Sequence, residues 1–428
     1  MPITRLHLAA LVLCGLGLAM DLYELSLGVI LSAVFSAPPH DTSAFQLSVL
    51  LTAVYVGALV GAPVTGWCAD RIGRRRVMTV LLIVIALASW LSAISRTVFE
   101  LSLSRALAGV ALGGYPAVML AYLTDVLPPH RRGQVILGVA ALASAVPPLA
   151  ILLIRALSPA QPLGFEAWQW GFIAGGLTTA VVAVLFTRLP ESPRWLSAQG
   201  RTAEAAQTCA RFEHSTVAVP GAAFAPLPEA SEHAIPVGER TEIPRWACIG
   251  ALYALSPWAT VAFPVLAGAV LSYKGFDLSD TLLFISLSRL GPPVGLLALA
   301  AWIDRMDRRV TLAACALTMV FTGFGFVVST TSTVIVLCGL AFDIAAALYT
   351  AVLNIYTAEV FPTRVRARAV GSAWAVNRLG AAVAPPLLVA LMHGFDPVMM
   401  FCAIALALLS SAVLFGLVPR GRQRRPVD

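Results

Sequence analysis

The chain has 428 residues, 59% of them hydrophobic and only 12% charged, with a formal net charge of +7 and a mean hydropathy of +0.84. That balance excludes a soluble globular domain and describes a polytopic helical membrane protein. The positive charge is no nucleic-acid signature, because the arginines sit in short loops between apolar segments, where they act as orientation signals.

The N-terminus carries Arg5 and then an apolar run interrupted by Asp21 and Glu24. The run is too long for a signal-peptide core, so it is expected to be a retained first helix. A spanning helix needs roughly 20 mainly apolar residues. On that basis twelve spans are predicted, at 8–34, 45–69, 77–95, 99–124, 134–157, 167–189, 245–271, 280–302, 310–329, 332–359, 368–392 and 396–418. Loops after even-numbered spans hold Arg71, Arg74, Arg75 and Arg76; Arg131 and Arg132; Arg305, Arg308 and Arg309; and Arg364, Arg366 and Arg368. The tail adds Arg420, Arg422, Arg424 and Arg425. Loops after odd-numbered spans hold only Arg96 and Lys274, with Arg155 near one edge. The bias puts both termini and every arginine-rich loop in the cytoplasm.

Between the sixth and seventh spans the composition changes. Pro190-Glu191-Ser192-Pro193-Arg194-Trp195-Leu196 leads to a short helical piece from Thr202 to Phe212. A Pro/Ala/Glu-rich stretch, 217–244, then has no apolar periodicity and reads as partly disordered. The chain thus divides into a six-helix bundle at 1–190, a cytoplasmic linker at 191–244, and a second six-helix bundle with a short basic tail at 245–428. The seven cysteines are scattered and none forms a CxxC pair, so neither a metal site nor a disulfide framework is expected. No Gly-rich phosphate loop or nucleophile constellation is visible; the chain reads as a non-enzyme without cofactors.

The loop Gly66-Trp67-Cys68-Ala69-Asp70-Arg71-Ile72-Gly73-Arg74-Arg75-Arg76 concentrates charge that cannot lie in hydrocarbon. A weaker copy, Ala300 to Arg309, follows 234 residues later (304 − 70 for the two aspartates). The same offset relates Gly57 to Gly291, Gly61 to Gly295, Tyr115 to Tyr349, Tyr122 to Tyr356, Asp125 to Glu359 and Pro128 to Pro362. One constant offset over two regions indicates two parallel halves related by an axis along the membrane normal.

With these motifs the sequence resembles the major facilitator superfamily. The Gly66–Arg76 loop is similar to its signature between helices two and three, and Arg105 to Gly109 followed by Gly113-Gly114 to its helix-four pattern. Pro190–Leu196 and the stretch Tyr356 to Arg368 resemble the sugar-porter-like and metabolite:proton symporter branches, including aromatic-acid and nicotinate carriers. The resemblance implies an all-α integral membrane fold of twelve transmembrane helices in two pseudo-symmetric six-helix bundles. It also implies a monomeric carrier in the inner (plasma) membrane, with protons and a small molecule as its partners. Helix seven, Ala251 to Thr260, lacks the amides of sugar porters, and the end of helix twelve lacks their Pro-Glu-Thr-Lys-Gly. Helix five has Pro147-Pro148 without the glycines of antiporters.

An ionisable group at mid-membrane costs roughly 2.5–3.5 kcal/mol on insertion scales, so each needs a reason. Asp21 and Glu24 share a helix face and form a candidate proton-carrying pair; the alternative is a structural ion pair with an arginine. Arg105 could join that coupling. Arg289 and Arg378 offer planar forks for an anionic substrate, unless Asp343 ties one of them. Tyr23, Tyr115, Trp258, Tyr349 and Asn377 are candidate cavity-lining groups, against the alternative that such residues sit at lipid interfaces. Tyr55, Tyr253 and Trp374 belong to the same set. Gly109, Gly113, Gly114, Pro116, Pro147, Pro148, Pro292, Pro293, Pro385 and Pro386 predict close packing and bends. The resemblance implies that Gly66, Asp70, Arg71, Gly73 and Arg74, with Asp304, Arg308, Glu359 and Arg364, form a conformational latch; the second copy has Ala300 and Asp307 where the first has Gly66 and Gly73, so its latch is expected to be weaker.

The expected function is proton-coupled uptake of a small organic acid, such as an aromatic or nicotinate-like carboxylate, by alternating access. The alternatives are a proton antiport exporter, a sugar or polyol symporter, and a non-transporting sensor on the same fold.

Overall fold

A computed structural model of the protein describes residues 4–36, 38, 40, 42–127, 132–157, 164–214, 242–302, 307–361 and 363–417. Among the described residues, twelve helices are long and apolar enough to cross a membrane. Spans one to six are Arg5–Phe35, Ala44–Ile72, Arg74–Ala93, Val98–Val126, Val135–Leu157 and Ala167–Phe186. Spans seven to twelve are Trp246–Tyr273, Leu278–Leu299, Arg308–Val328, Ser332–Thr357, Val370–Gly394 and Pro397–Phe415. Every predicted span is present, most within a few residues of its predicted edges. Their outer faces expose large apolar side chains such as Phe45, Phe99, Leu142 and Phe321, a surface that only lipid can cover. In the linker, short helices at Pro193–Ala198 and Thr202–His214 pack on each other. Of the predicted disordered stretch, 217–244, residues 217–241 lie outside the described residues, and 242–244 open the helix Glu242–Pro257 instead.

Polar caps mark where helices meet water. Ser43 accepts from Gln46 N–H, Thr97 from Glu100 N–H and Asp277 from Asp280 N–H. Each satisfies a donor that helix geometry leaves without a partner.

The predicted bends fall in two groups. Span four breaks at Gly113-Gly114, span five ahead of Pro147-Pro148, and span eight ahead of Pro292-Pro293. Pro385 and Pro386, by contrast, lie inside one continuous helix, Thr363–Gly394. Span seven carries a feature the sequence did not announce: a π-helical turn at Trp258–Ala262, just after Pro257. A proline cannot donate to the helical ladder, and an extra residue in the turn absorbs the local mismatch.

The internal repeat is visible as repeated contacts. Gly57 and Gly61 of span two meet the backbone of span four at Ala106 and Val110. Their counterparts Gly291 and Gly295 of span eight meet span ten at Leu340 and Ile344, which are those same positions shifted by 234. Span four returns the contact, with Gly109 against Val54 and Gly113 against Ala58. Glycine is required here because any Cβ would overlap a backbone carbonyl of the partner helix. The second seam is looser: a Cβ on Gly295 would meet Ile344 Cγ2 at 3.3 Å, a movable side chain.

The halves meet where span one touches the outer part of span seven, where span two runs along span eleven, and where span five runs along span eight. Ser286 Oγ donates to Pro148 O at 2.9 Å and Arg155 Nε to Ser279 O at 2.9 Å. Ser272 Oγ donates to Ala33 O at 3.5 Å, and Gly268 lies against Ser32 and Ala33. These ties lie in the part of the bundle away from the arginine-rich loops.

The seams generate a test. Gly61→Val should destabilise the folded protein by about 1–3 kcal/mol or more, as overpacking does, and lower its yield and melting temperature. Gly295→Ala should cost much less. Equal melting temperatures for the two purified variants would contradict the packing asymmetry.

Candidate functional site

Buried charges gather at the centre of the bundle and across the interface between the halves. Glu24, fully buried on span one, pairs with Arg105 Nη1 of span four at 2.6 Å. Arg105 Nη2 also donates to Glu24 O at 2.8 Å, and Ser89 of span three donates its hydroxyl to the same carboxylate. The guanidinium lies 5.3 Å from the centre of the Phe172 ring of span six. Three helices of the first half are thereby joined through one carboxylate, and the Arg105 guanidinium adds span six, so Glu24 takes the role of a structural ion pair with an arginine. A buried pair of this kind is costly to break, because the surviving charge is left in low dielectric.

Asp21, one turn earlier on span one, has a different environment. It is 2% exposed, and its Oδ1 has no hydrogen-bond partner among the described residues. The opposing charge it feels most strongly is Arg378 of span eleven, across the interface between the halves. Glu24 adds like-charge repulsion from its own helix. Buried Tyr55 of span two lies within the electrostatic reach of Arg378, Arg289 and Arg105 together. Arg378 is half-buried and sits 5.7 Å over the Trp374 ring.

Of the two arginines that could grip a substrate, the structure ties Arg289 to Asp343. Arg289 Nε lies 3.6 Å from Asp343 Oδ2, beside a cavity of about 20 Å³ lined by Phe263, Ser288 and Phe342 among others. That space holds one water at most. Arg378 forms no such ion pair among the described residues.

The aromatic and amide candidates are mostly structural. Tyr23 donates to Gly171 O at 2.5 Å, tying span one to span six. Tyr115 is fully buried, donates to Cys14 O at 3.3 Å and packs edge-on against Phe186 of span six. Its repeat partner Tyr349, also fully buried, packs edge-on against Phe415 of span twelve. These two tyrosines hold equivalent places inside their own halves instead of lining a cavity between them. Asn377 donates to Ser256 Oγ at 2.9 Å and to Tyr253 O at 3.3 Å, fastening span eleven to span seven just before the π-turn. Tyr253 in turn donates to Asn354 Oδ1 at 2.8 Å. Trp258, half-buried, opens the π-turn. Tyr55 is one of the aromatic candidates, and the structure buries it near three arginines. It is the repeat counterpart of Arg289 (289 − 55 = 234), which was the available signal.

At the arginine-rich end the repeat reappears as chemistry. Arg74 forms an ion pair with Asp125, and their counterparts Arg308 and Glu359 pair at 3.4 Å. Both pairs lie within a half. The two copies are capped differently. Asp307 Oδ1 accepts from Arg309 N–H at 2.9 Å and Val310 N–H at 3.4 Å, capping span nine from its own chain end. At the matching position stands Gly73, with φ of 106°, a value that favours glycine. There the linker carboxylate Glu191 accepts from Arg75 N–H at 2.9 Å instead. Ser192 Oγ donates to Asp125 at 2.5 Å, and Trp195 Nε1 and Gln199 Nε2 donate to Asp70 O at 2.9 and 3.2 Å. The linker is thus fastened to the first-copy loop.

For the expected latch, the contacts of Gly73 and Arg74 run to the linker and within the first half, and Arg308 and Glu359 pair within the second. Gly66 is exposed, Arg71 lies over the Trp67 ring at 4.1 Å, and the exposed Asp70 carboxylate acts on the charge of Arg74. Asp304 falls outside the described residues, and of Arg364 only the backbone, in Thr363–Gly394, is described.

Comparison with known proteins agrees with this architecture. The chain is similar to a niacin transporter of Acinetobacter baylyi, 26% identical over 99% of this chain and 96% of that protein. It is 29% identical to an arabinose-proton symporter of Bacillus subtilis, over 51% of this chain and 48% of that protein, so this match spans about half of each. Its fold matches a partially occluded inward-open structure of the Escherichia coli xylose transporter XylE, with a TM-score of 0.73 and 16% identity over 98% of this chain and 99% of that one. The Major Facilitator Superfamily pattern matches residues 8–290 and again 247–428. Because those matches run through both halves and take in both repeat-related ion pairs, the chain, a multi-pass membrane protein, belongs to the Major Facilitator Superfamily of transporters.

Proposed function

We propose that the protein is a proton-coupled importer of a small organic anion, with Asp21 as the proton-carrying group and Arg378 as the substrate's anchor. The observation that carries this reading is the buried, incompletely hydrogen-bonded Asp21 set against Arg378 across the interface between the halves. Glu24 is already committed to Arg105 and Ser89, so the acidic pair divides into a structural member and a titrating one.

The mechanism follows from charge compensation. In the empty carrier Asp21 serves as counter-ion to Arg378. A substrate carboxylate that takes the guanidinium fork displaces it. An uncompensated carboxylate in low dielectric is then driven to bind a proton. Substrate and proton enter together, the centre stays neutral, and the halves can rock about it. One proton and one singly charged anion cross with no net charge, so the cycle is driven by the pH difference across the membrane and by the substrate gradient, and not by the membrane potential, which acts only on net charge moved. The similarity to a protein named as a niacin transporter supports a carboxylate. A second reading, a neutral sugar as substrate, is favoured by the similarity to a protein named as an arabinose-proton symporter.

In proteoliposomes, Asp21→Asn should abolish proton-driven accumulation while sparing substrate exchange. Glu24→Gln should instead cost about 3–5 kcal/mol of stability by leaving Arg105 buried and unpaired, and should appear as lost folded protein. Normal gradient-driven uptake by Asp21→Asn would sink the coupling role. A thermal-shift screen of small carboxylates and sugars on purified protein separates the two substrate classes, since a bound ligand stabilises by mass action. Sugar hits without a carboxylate hit would overturn the anion assignment.

The latch is proposed to be asymmetric, because among the described residues the linker's loop contacts are to the first copy. Asp70→Asn should slow turnover more than Asp304→Asn, with substrate affinity nearly unchanged in both. Equal losses of turnover would remove the asymmetry.

A further inference from the structure

The linker docks on the first half so as to leave a crevice between the arginine-rich ends of spans three and six and the helices Pro193–Ala198 and Thr202–His214. Its volume is about 390 Å³. Five arginines line it: Arg75, Arg76, Arg188, Arg201 and Arg211. Among the described residues two carboxylates do, Glu191 and Glu204; Glu204 is engaged through both oxygens, whereas Glu191 is engaged through Oε1 and its buried Oε2 has no hydrogen-bond partner. Glu191 Oε1 accepts from the backbone N–H of Arg75 and of Ser192, at 2.9 and 3.0 Å. Glu204 forms a bidentate pair with Arg201, at 2.8 and 2.6 Å, and this bonding holds its carboxyl below the usual range. The formal balance of the lining is +3, five arginines less two carboxylates.

The remaining guanidinium groups outnumber the carboxylates near them: Glu204 acts on Arg76 without pairing with it, and Glu191 is the one other carboxylate among the described lining residues. Arg76, Arg188 and Arg211 are exposed to the crevice and form no ion pair among the described residues. Arg75 donates Nη1 to Thr187 O at 2.7 Å, but its buried Nε has no hydrogen-bond partner. An unpartnered buried donor costs free energy, and here it borders a polar space large enough for a ligand. Buried Trp195 and Leu196 form an apolar wall. Planar guanidinium forks converging on a crevice match the oxygens of a phosphate group.

We propose that this crevice binds a phosphate-bearing anion. The arginine bias places it at the cytoplasmic leaflet, and lipid-facing Val80 of span three and Val184 of span six lie on the two helices whose ends form it. The anion is therefore either a lipid headgroup or a free phosphate compound. Bound there, it joins span three, span six and the linker helices through their arginines, and holds the linker against the first-copy loop. The proposal is independent of the substrate and of the proton site.

The test uses the full chain and the double variant Arg188→Gln/Arg211→Gln, with Arg96→Gln, an exposed arginine in the loop between spans three and four, as control. Melting is followed at constant ionic strength in detergent against pyrophosphate, and in nanodiscs of phosphatidylcholine with and without phosphatidylglycerol. The expected result is a saturable rise of about 2–4 °C in Tm for the wild type and Arg96→Gln, absent in the double variant. A response to pyrophosphate assigns a free phosphate compound; a response to phosphatidylglycerol alone assigns a lipid headgroup. No response to either probe, or an equal response in the double variant, overturns the proposal.

Discussion

A charge in the interior of a membrane protein must be compensated where it stands, and the helix arrangement here follows that constraint. Glu24 is neutralised by Arg105 and Ser89, and in being neutralised it gathers spans one, three, four and six. Arg289 is held by Asp343 within the second half. Asp21 and Arg378 are the pair left without such a local arrangement, and their compensation reaches across the interface. Glu24–Arg105 and Arg289–Asp343 are ion pairs inside one half, whereas Asp21 and Arg378 act on each other across the interface without forming an ion pair among the described residues. Burial and connectivity, more than residue type, separate the charges paired inside a half from the two that face each other across the interface.

The second organising device is the glycine seam. Backbone contact between spans two and four makes the first half a rigid unit, because no side chain intervenes to yield. The equivalent seam between spans eight and ten is looser, with a side chain of Ile344 in place of a carbonyl at one position. The second half also contains the π-turn of span seven, braced by Asn377. Rigidity in one half and an irregular helix in the other place the adjustable backbone next to the interface at Trp258 and Arg378.

The two copies of the charged loop show how a duplicated plan diverges. Each keeps its arginine–carboxylate pair, Arg74–Asp125 and Arg308–Glu359. The second copy caps its helix with its own Asp307, whereas the first has Gly73 and takes Glu191 from the linker. The glycine makes room for the linker carboxylate, since a Cβ at that position would collide with it. The linker is therefore an integral part of the first half and creates an arginine-lined crevice there.

The number of spans, their approximate edges, the two-fold repeat and the family were legible in the sequence. They rest on local or linear quantities: apolar run length, the alternation of arginine between loops, and a constant offset of 234 between matching residues. The charged residues that had to matter were legible too, because an intramembrane charge is never incidental. Their partners were not. Asp21 and Glu24 share a helix face and are equivalent in sequence, yet only one meets an arginine of its own half. Asp343 stood available to Arg289 or Arg378, and the packing of span eight against span ten decided for Arg289. Tyr23, Tyr115 and Asn377 had the chemistry of cavity-lining groups and became helix ties, because whether a side chain points into its bundle or out of it depends on the rotation of helices against one another. Sequence determined which groups must be satisfied; the tertiary structure alone decided by whom, because pairing is set by distances between helices far apart in the chain.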